Sequence, residues 1–142
     1  MTSLFETVWT FALDIYEKPG VEKAFLEAQD AYGADVTLML VLLWLDRTGQ
    51  RPDDQAWRAL LATSATWQAE TLRPLRTRRR AAKGTPGYDA LKQEELAAER
   101  HAMTALVDSL RGNLSAGNAA LLRRYGAETG IPEALMERLE NA

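Results

Sequence analysis

Arg73, Arg76, Arg80 and Lys83 stand three, four and three residues apart. On a helix that spacing puts them on one face. Arg78 and Arg79 flank the stripe, and no acid interrupts the run from Thr71 to Lys83. A guanidinium is a planar fork that matches carboxylate or phosphate with two bonds, so the chemistry on offer is anion recognition. The run holds six of the chain's 17 basic residues, which leaves 11 against 20 acidic residues elsewhere. A local excess of this kind needs a negative counterpart. Two sources are open. One is the chain's own acids, such as Asp89, Glu94, Glu95 and Glu99. The other is an external partner, either an acidic protein surface or nucleic acid or another phosphate. A polyanion held by all six charges would lose roughly a thousandfold in affinity between 50 and 200 mM salt. No aromatic residue interleaves with the arginines, which argues against stacking of single-stranded bases. No recognition-helix motif is evident.

Asp30 and Asp35 form a second constellation, around Tyr32 and Gly33. Two carboxylates there could serve as acid and base, or hold Mg²⁺ through a substrate phosphate. They also suit the ends of helices. Asp30 fits a last turn and Asp35 fits an N-cap, a role worth about 1 kcal/mol. Trp9, Trp44 and Trp67 recur on apolar stripes. The plain reading is core; the functional one is a pocket in which Trp9 and Trp44 meet Asp30 and Asp35. Glu94, Glu95, Glu99 and His101 bring to mind helical di-metal sites, which need a Glu-x-x-His pair from each of two helices. Glu99 and His101 are only two apart, and His101 is the sole histidine, so no metal is expected. The chain has no cysteine, which excludes disulfides, thiolate metal sites and a cysteine nucleophile. There is no Gly-rich phosphate loop, no Gly-x-Ser-x-Gly elbow and no zinc motif. No cofactor is expected.

The elements that must position these residues are helices. Ser3 and Glu6 have capping-box spacing, and Leu4, Phe5, Val8, Trp9, Ala12, Ile15 and Tyr16 follow with a helical period. Pro19 and Gly20 end that helix and begin the next, which Gly33 stops. Asp35 then caps a helix apolar nearly all round, from Val36 to Leu45. A helix without a polar face is enclosed by others, and ten residues are too short to span a bilayer. Asp53 or Asp54 starts a fourth helix with Trp57, Leu60, Leu61, Ser64 and Trp67 on one side. Pro74 kinks or restarts it. Gly84-Thr-Pro-Gly87 is the strongest break in the chain. A long helix over 88–111 follows, with Leu96, Met103, Leu106, Val107 and Leu110 on one stripe. Shorter helices are expected near 116–125 and 132–140. No segment shows strand alternation.

Several blocks together resemble a known family. These are Trp9 to Tyr16, Pro19-Gly20-Val21-Glu22, Gln29 to Val36 with its Gly-Ala-Asp-Val end, Trp44, and Pro74-Leu75-Arg76 to Arg80. The family is one of small bacterial proteins, grouped only as a conserved domain of unknown function. The resemblance covers residues 1–111; 112–142 would be a C-terminal helical extension. It implies a bacterial, cytosolic, helical protein and carries no catalytic role.

The expectation is therefore an all-α protein, one domain over 1–142, with about seven helices in an irregular bundle around the helix 36–45. The expected function is a non-catalytic cytoplasmic adaptor. Its binding face would be Arg73, Arg76, Arg79, Arg80 and Lys83. The alternative is an enzyme or carrier for a small anionic ligand, phosphorylated or carboxylated, held between helices with arginines at the mouth and Asp30 or Asp35 inside. A homo-oligomer through 131–139 (Ile131, Leu135, Met136, Leu139) is a third possibility.

Overall fold

The computed structural model describes residues 2–142. Nine consecutive residues of α3 (Val36–Thr48), from Thr37 to Leu45, are buried. Each leucine removed from water in this way contributes about 1.5–3 kcal/mol, so α3 must be enclosed. Its neighbours are α1 (Leu4–Tyr16), α2 (Val21–Tyr32), α6 (Tyr88–Asp108) and α7 (Leu121–Thr129). The rod formed by α4 (Asp54–Trp67) and α5 (Arg73–Ala81) lies against α6, and α8 (Glu133–Glu140) closes on α2 and α7. With α4 and α5 taken as one rod, seven helices form an all-α bundle around α3.

The helical run is unbroken at Pro74. It passes from α4 to α5 through one π-turn, Gln68–Leu72, in which the Arg73 N–H reaches back five residues to the Gln68 carbonyl. Pro74 sits in the first turn of α5, just beyond the widened turn. It has no N–H to give, and the π-turn absorbs the change of hydrogen-bond register that this requires.

Helix ends follow the side chains available. Ser3 Oγ accepts from Glu6 N at 3.1 Å, and Asp53 Oδ1 accepts from Ala56 N at 2.7 Å. Gly33 and Gly49 close α2 and α3 in the left-handed region, φ 68° and 66°, where other residues are strained. The helix expected over 116–125 begins later, at Leu121. Residues Leu114–Ala116 instead form β2, antiparallel to β1 (Gln50–Pro52), with Arg51 opposite Ser115. Three-residue strands are too short to show alternation, so nothing in the sequence marked them. Asp46, in the last turn of α3, accepts from Leu121 N at 2.9 Å and Leu122 N at 3.1 Å. This long-range cap serves α7, whose own preceding residue, Ala120, offers no side-chain acceptor.

The face expected to dock on a second copy is already covered. Leu135, Met136 and Leu139 are 0–3% exposed and Ile131 9%. Gly126 on α7 faces the Met136 methyl and leaves room for it. Outside, Arg123 bridges Glu133 and Glu140 at 2.7 and 2.6 Å and joins α7 to α8. Leu96, expected on the buried stripe of α6, is 43% exposed.

Asp35 ties the bundle together. Its Oδ1 accepts from Leu38 N at 3.3 Å and caps α3. The Ser64 hydroxyl of α4 donates to its Oδ2 at 2.6 Å. Its backbone N–H donates to the Tyr125 hydroxyl of α7 at 2.8 Å. Replacing Asp35 by Ala removes a cap and strands the buried Ser64 hydroxyl, a loss expected to total about 2–4 kcal/mol. Asp35→Asn keeps an acceptor for Leu38 N and a partner for Ser64, and is expected to cost under about 1 kcal/mol. Urea unfolding of both variants checks this; equal losses would show that the carboxylate charge, not the bonding geometry, matters.

Candidate functional site

Helices α1, α2, α5 and α6 splay around the head of α3 and leave a cavity of about 470 Å³. Trp9, Tyr16, Leu40 and Met103 supply its apolar wall. Polar groups line it from several elements. Asp35 stands at the head of α3, and Gln68, 5% exposed, projects from the π-turn. Arg76 and Arg79 of α5 face Glu95 and Glu99 of α6. A π-turn beside a polar cavity is a recurrent mark of functional positions. Three of the exposed large apolar side chains, Leu13, Leu26 and Leu96, lie on the cavity's lining.

The pairing inside is incomplete. Arg79 Nε donates to Glu95 Oε1 at 2.9 Å. The other oxygen of Glu95, Oε2, is buried with no hydrogen-bond partner among the described residues. Arg76, half-buried, enters no ion pair among the described residues. Burial pulls its pKa down, and the acids Glu95 and Glu99 oppose that pull. The guanidinium stays charged, since its ordinary value lies above 12. Glu99 likewise has no hydrogen-bonding partner for its carboxyl among the described residues. Burial, and then the Glu95 charge one turn away, push its pKa up to about 7. Burial also raises the Tyr16 phenol, helped by the Glu99 charge. Burial raises Asp35 too, although bonds from Ser64 and the Leu38 amide pull the other way. A half-buried cation without an anion, beside an acid poised near neutrality, can accept an anionic group and exchange a proton with it.

The residues singled out from the sequence divide between this cavity and the surface. Trp9, Asp35, Arg76 and Arg79 line it. Trp44 is 8% exposed in the core on α3 and does not reach it. Asp30 lies outside, in a shallow open cleft with Glu22, Lys23, Leu26 and Glu27, and Arg80 Nη2 donates to its Oδ1 at 2.6 Å. Arg78 lies 3.9 Å from Glu94. Arg73 and Lys83 are exposed and enter no ion pair among the described residues. Half of the six cations of this stretch therefore meet the chain's own acids. The two exposed pairs, Arg78–Glu94 and Arg80–Asp30, are worth about 0–1 kcal/mol each.

Glu99, Tyr16 and Gln68 were not identified as site residues from the sequence. The signal for Glu99 was present. Glu95, Glu99, Ala102 and Leu106 fall four, three and four apart, so both acids sit on the stripe that buries Ala102 and Leu106. Charged side chains on a buried stripe need a partner or a purpose. Gln68 carried no such signal, because nothing in the sequence announces a π-turn.

A family model described as "Protein of unknown function (DUF2390)" matches residues 7–106. The chain belongs to that family. The matched span contains every polar residue named above as lining the cavity. No curated protein and no solved structure matches.

Glu99 makes stability depend on pH. Its folded-state pKa of about 7 lies above the ordinary 4.5. Between those values the folded protein holds more protons than the unfolded chain. Stability therefore falls as pH rises through that window and levels off above it. Glu99→Gln removes the penalty. It is expected to stabilise the protein by at most roughly 3 kcal/mol at pH 8 and by roughly 1 kcal/mol at pH 5. Urea midpoints at the two pH values measure this. A variant less stable than its parent at pH 8 would show that Glu99 is held by an internal partner.

Proposed function

We propose that this protein binds a small organic anion in the cavity between α1, α2, α5 and α6, with Arg76 as its anchor. One observation carries the reading. A half-buried guanidinium stands beside unfilled space, and no carboxylate among the described residues lies within ion-pairing distance of it. Burying a cation is costly unless it is paired, and a ligand anion supplies the missing pair. The aromatic wall of Trp9 and Tyr16 suits the organic part of such a ligand, and the volume lies in the range of small-molecule sites. The bacterial, cytoplasmic setting implied by the family resemblance belongs to the same proposal. Binding is the function proposed, whether the protein stores, senses or transforms what it holds.

The surface-adaptor reading draws less support. Of the stripe Arg73, Arg76, Arg80 and Lys83, only Arg73 and Lys83 are exposed without an ion pair among the described residues. Two cations make a weak footprint for a polyanion.

The two readings separate in one experiment. A thermal-shift screen of small organic acids is expected to give hits with the parent protein and with Arg73→Ala/Lys83→Ala. Arg76→Met is expected to weaken those hits by roughly 10- to 100-fold, the worth of a charge-assisted bond. The hits should change only a few-fold between 50 and 200 mM salt. Hits lost on removing Arg73 and Lys83 and kept without Arg76 would contradict the pocket and restore the surface.

A further inference from the structure

The charge balance inside the cavity narrows the ligand further, on the premise that the cavity is the binding site. Of its three cations, Arg79 is held by Glu95 at 2.9 Å, and Lys92 is exposed and stands over the Tyr88 ring at 5.6 Å. Arg76 is the one half-buried cation without an ion pair among the described residues. Carboxyl groups line the same cavity. Glu95 and Glu99 come from α6, Asp35 from the head of α3 and Glu22 from α2. A phosphate monoester carries nearly two negative charges at neutral pH. Placed here, it would meet one half-buried cation without an ion pair and several acids. A carboxylate carries one charge, and its two oxygens match the planar fork of a guanidinium.

A carboxylate on Arg76 must still share the site with Glu99. Both line the same cavity, and Glu99 lacks a hydrogen-bonding partner among the described residues. Two ionised carboxyls at close range repel, and the usual resolution is that one keeps a proton. The groups that face Glu99 favour this outcome. From its own helix Glu95 disfavours its charge, as does Asp35 from α3. From α1 the Tyr16 phenol stands near it and is itself raised by the Glu99 charge. From α5 only Arg76 and Arg79 oppose, and the first would be occupied by the ligand and the second by Glu95.

We propose that the ligand is an apolar or aromatic monocarboxylate, bound through two bonds from Arg76 and a hydrogen bond donated by protonated Glu99, so that each molecule enters with one proton. No covalent bond forms or breaks. The proton comes from solvent when the site was ionised and resides on the Glu99 carboxyl. The aryl or alkyl body lies against Trp9, Tyr16 and Met103 and leaves toward Leu13 and Leu96.

Calorimetric titration with four compounds tests this: phenylacetate, octanoate, phenyl phosphate and phenylacetamide. Each is run at pH 6 and pH 8.5, in two buffers of different ionisation enthalpy so that protons are counted. Phenylacetate or octanoate is expected to bind, roughly thirtyfold tighter at pH 6 than at pH 8.5, because only the protonated site is competent. Proton uptake at pH 8.5 should approach one per ligand. Glu99→Gln should bind at both pH values with the pH dependence gone. Arg76→Met should weaken binding roughly 10- to 100-fold at both. Preference for phenyl phosphate or for the neutral amide would overturn the carboxylate assignment and leave the pocket standing. Carboxylate binding that ignores pH, or keeps its pH dependence in Glu99→Gln, would overturn the proton's role. Silence from all four compounds at millimolar concentration, with the variants folded by circular dichroism, would overturn both this inference and the pocket reading.

Discussion

Asp35 is buried, only 3% exposed, and three parts of the fold meet on it. Its side chain begins α3 and takes the Ser64 hydroxyl of α4, while its backbone N–H holds the Tyr125 hydroxyl of α7. The most apolar helix of the chain therefore starts at a fixed point. That start is also part of the cavity lining, so the position of the cavity depends on the same bonds. A carboxyl buried this deeply would be a liability if any bond were missing. Because each atom named has a partner, it serves instead as the joint from which α3 runs into the core and from which the polar chamber opens.

Two regimes of packing follow from that joint. Below it, Leu38, Met39, Leu42 and Leu45 are fully buried. Beside it, α1, α2, α5 and α6 enclose space, with ionisable groups set among apolar side chains. Burial disfavours the charge of Glu99, and Arg76 has no ion pair among the described residues. A fold under selection for stability alone would fill this space with leucine. Features that cost stability and are placed together in a cavity mark a site that serves something other than the fold. The π-turn supports the same view. It is a widened turn set where Gln68 can face the cavity and where Pro74 can enter α5 without breaking the rod.

Much of the fold could be read from residue order because its causes are local. Helical periodicity, the caps Ser3, Asp35 and Asp53, and the stops Gly33 and Gly49 all act within a few residues. What escaped had distant causes. The strands at 50–52 and 114–116 exist only as each other's partner. The start of α7 is set by Asp46, 75 residues earlier. The face of 131–139 looked free because its cover, Gly126 and the residues around it, is visible only in three dimensions. The arginine stripe shows the same limit at the site. Spacing put Arg73, Arg76, Arg80 and Lys83 on one face of a helix, but it could not show that the helix is turned so that Arg76 enters a cavity while Arg73 faces solvent. Glu95 and Glu99 were weighed as metal ligands and as surface partners. Their place on the stripe of Ala102 and Leu106 was the better guide.

The central claim is that Arg76 awaits an anion from outside the chain. The most direct measurement is a crystal structure of the protein grown or soaked with phenylacetate. The account requires the carboxylate to lie within hydrogen-bonding distance of the Arg76 guanidinium, with its ring against Trp9 or Tyr16. A cavity collapsed onto its own side chains, or an Arg76 guanidinium swung onto Glu95 Oε2 with no organic anion beside it, would contradict the account.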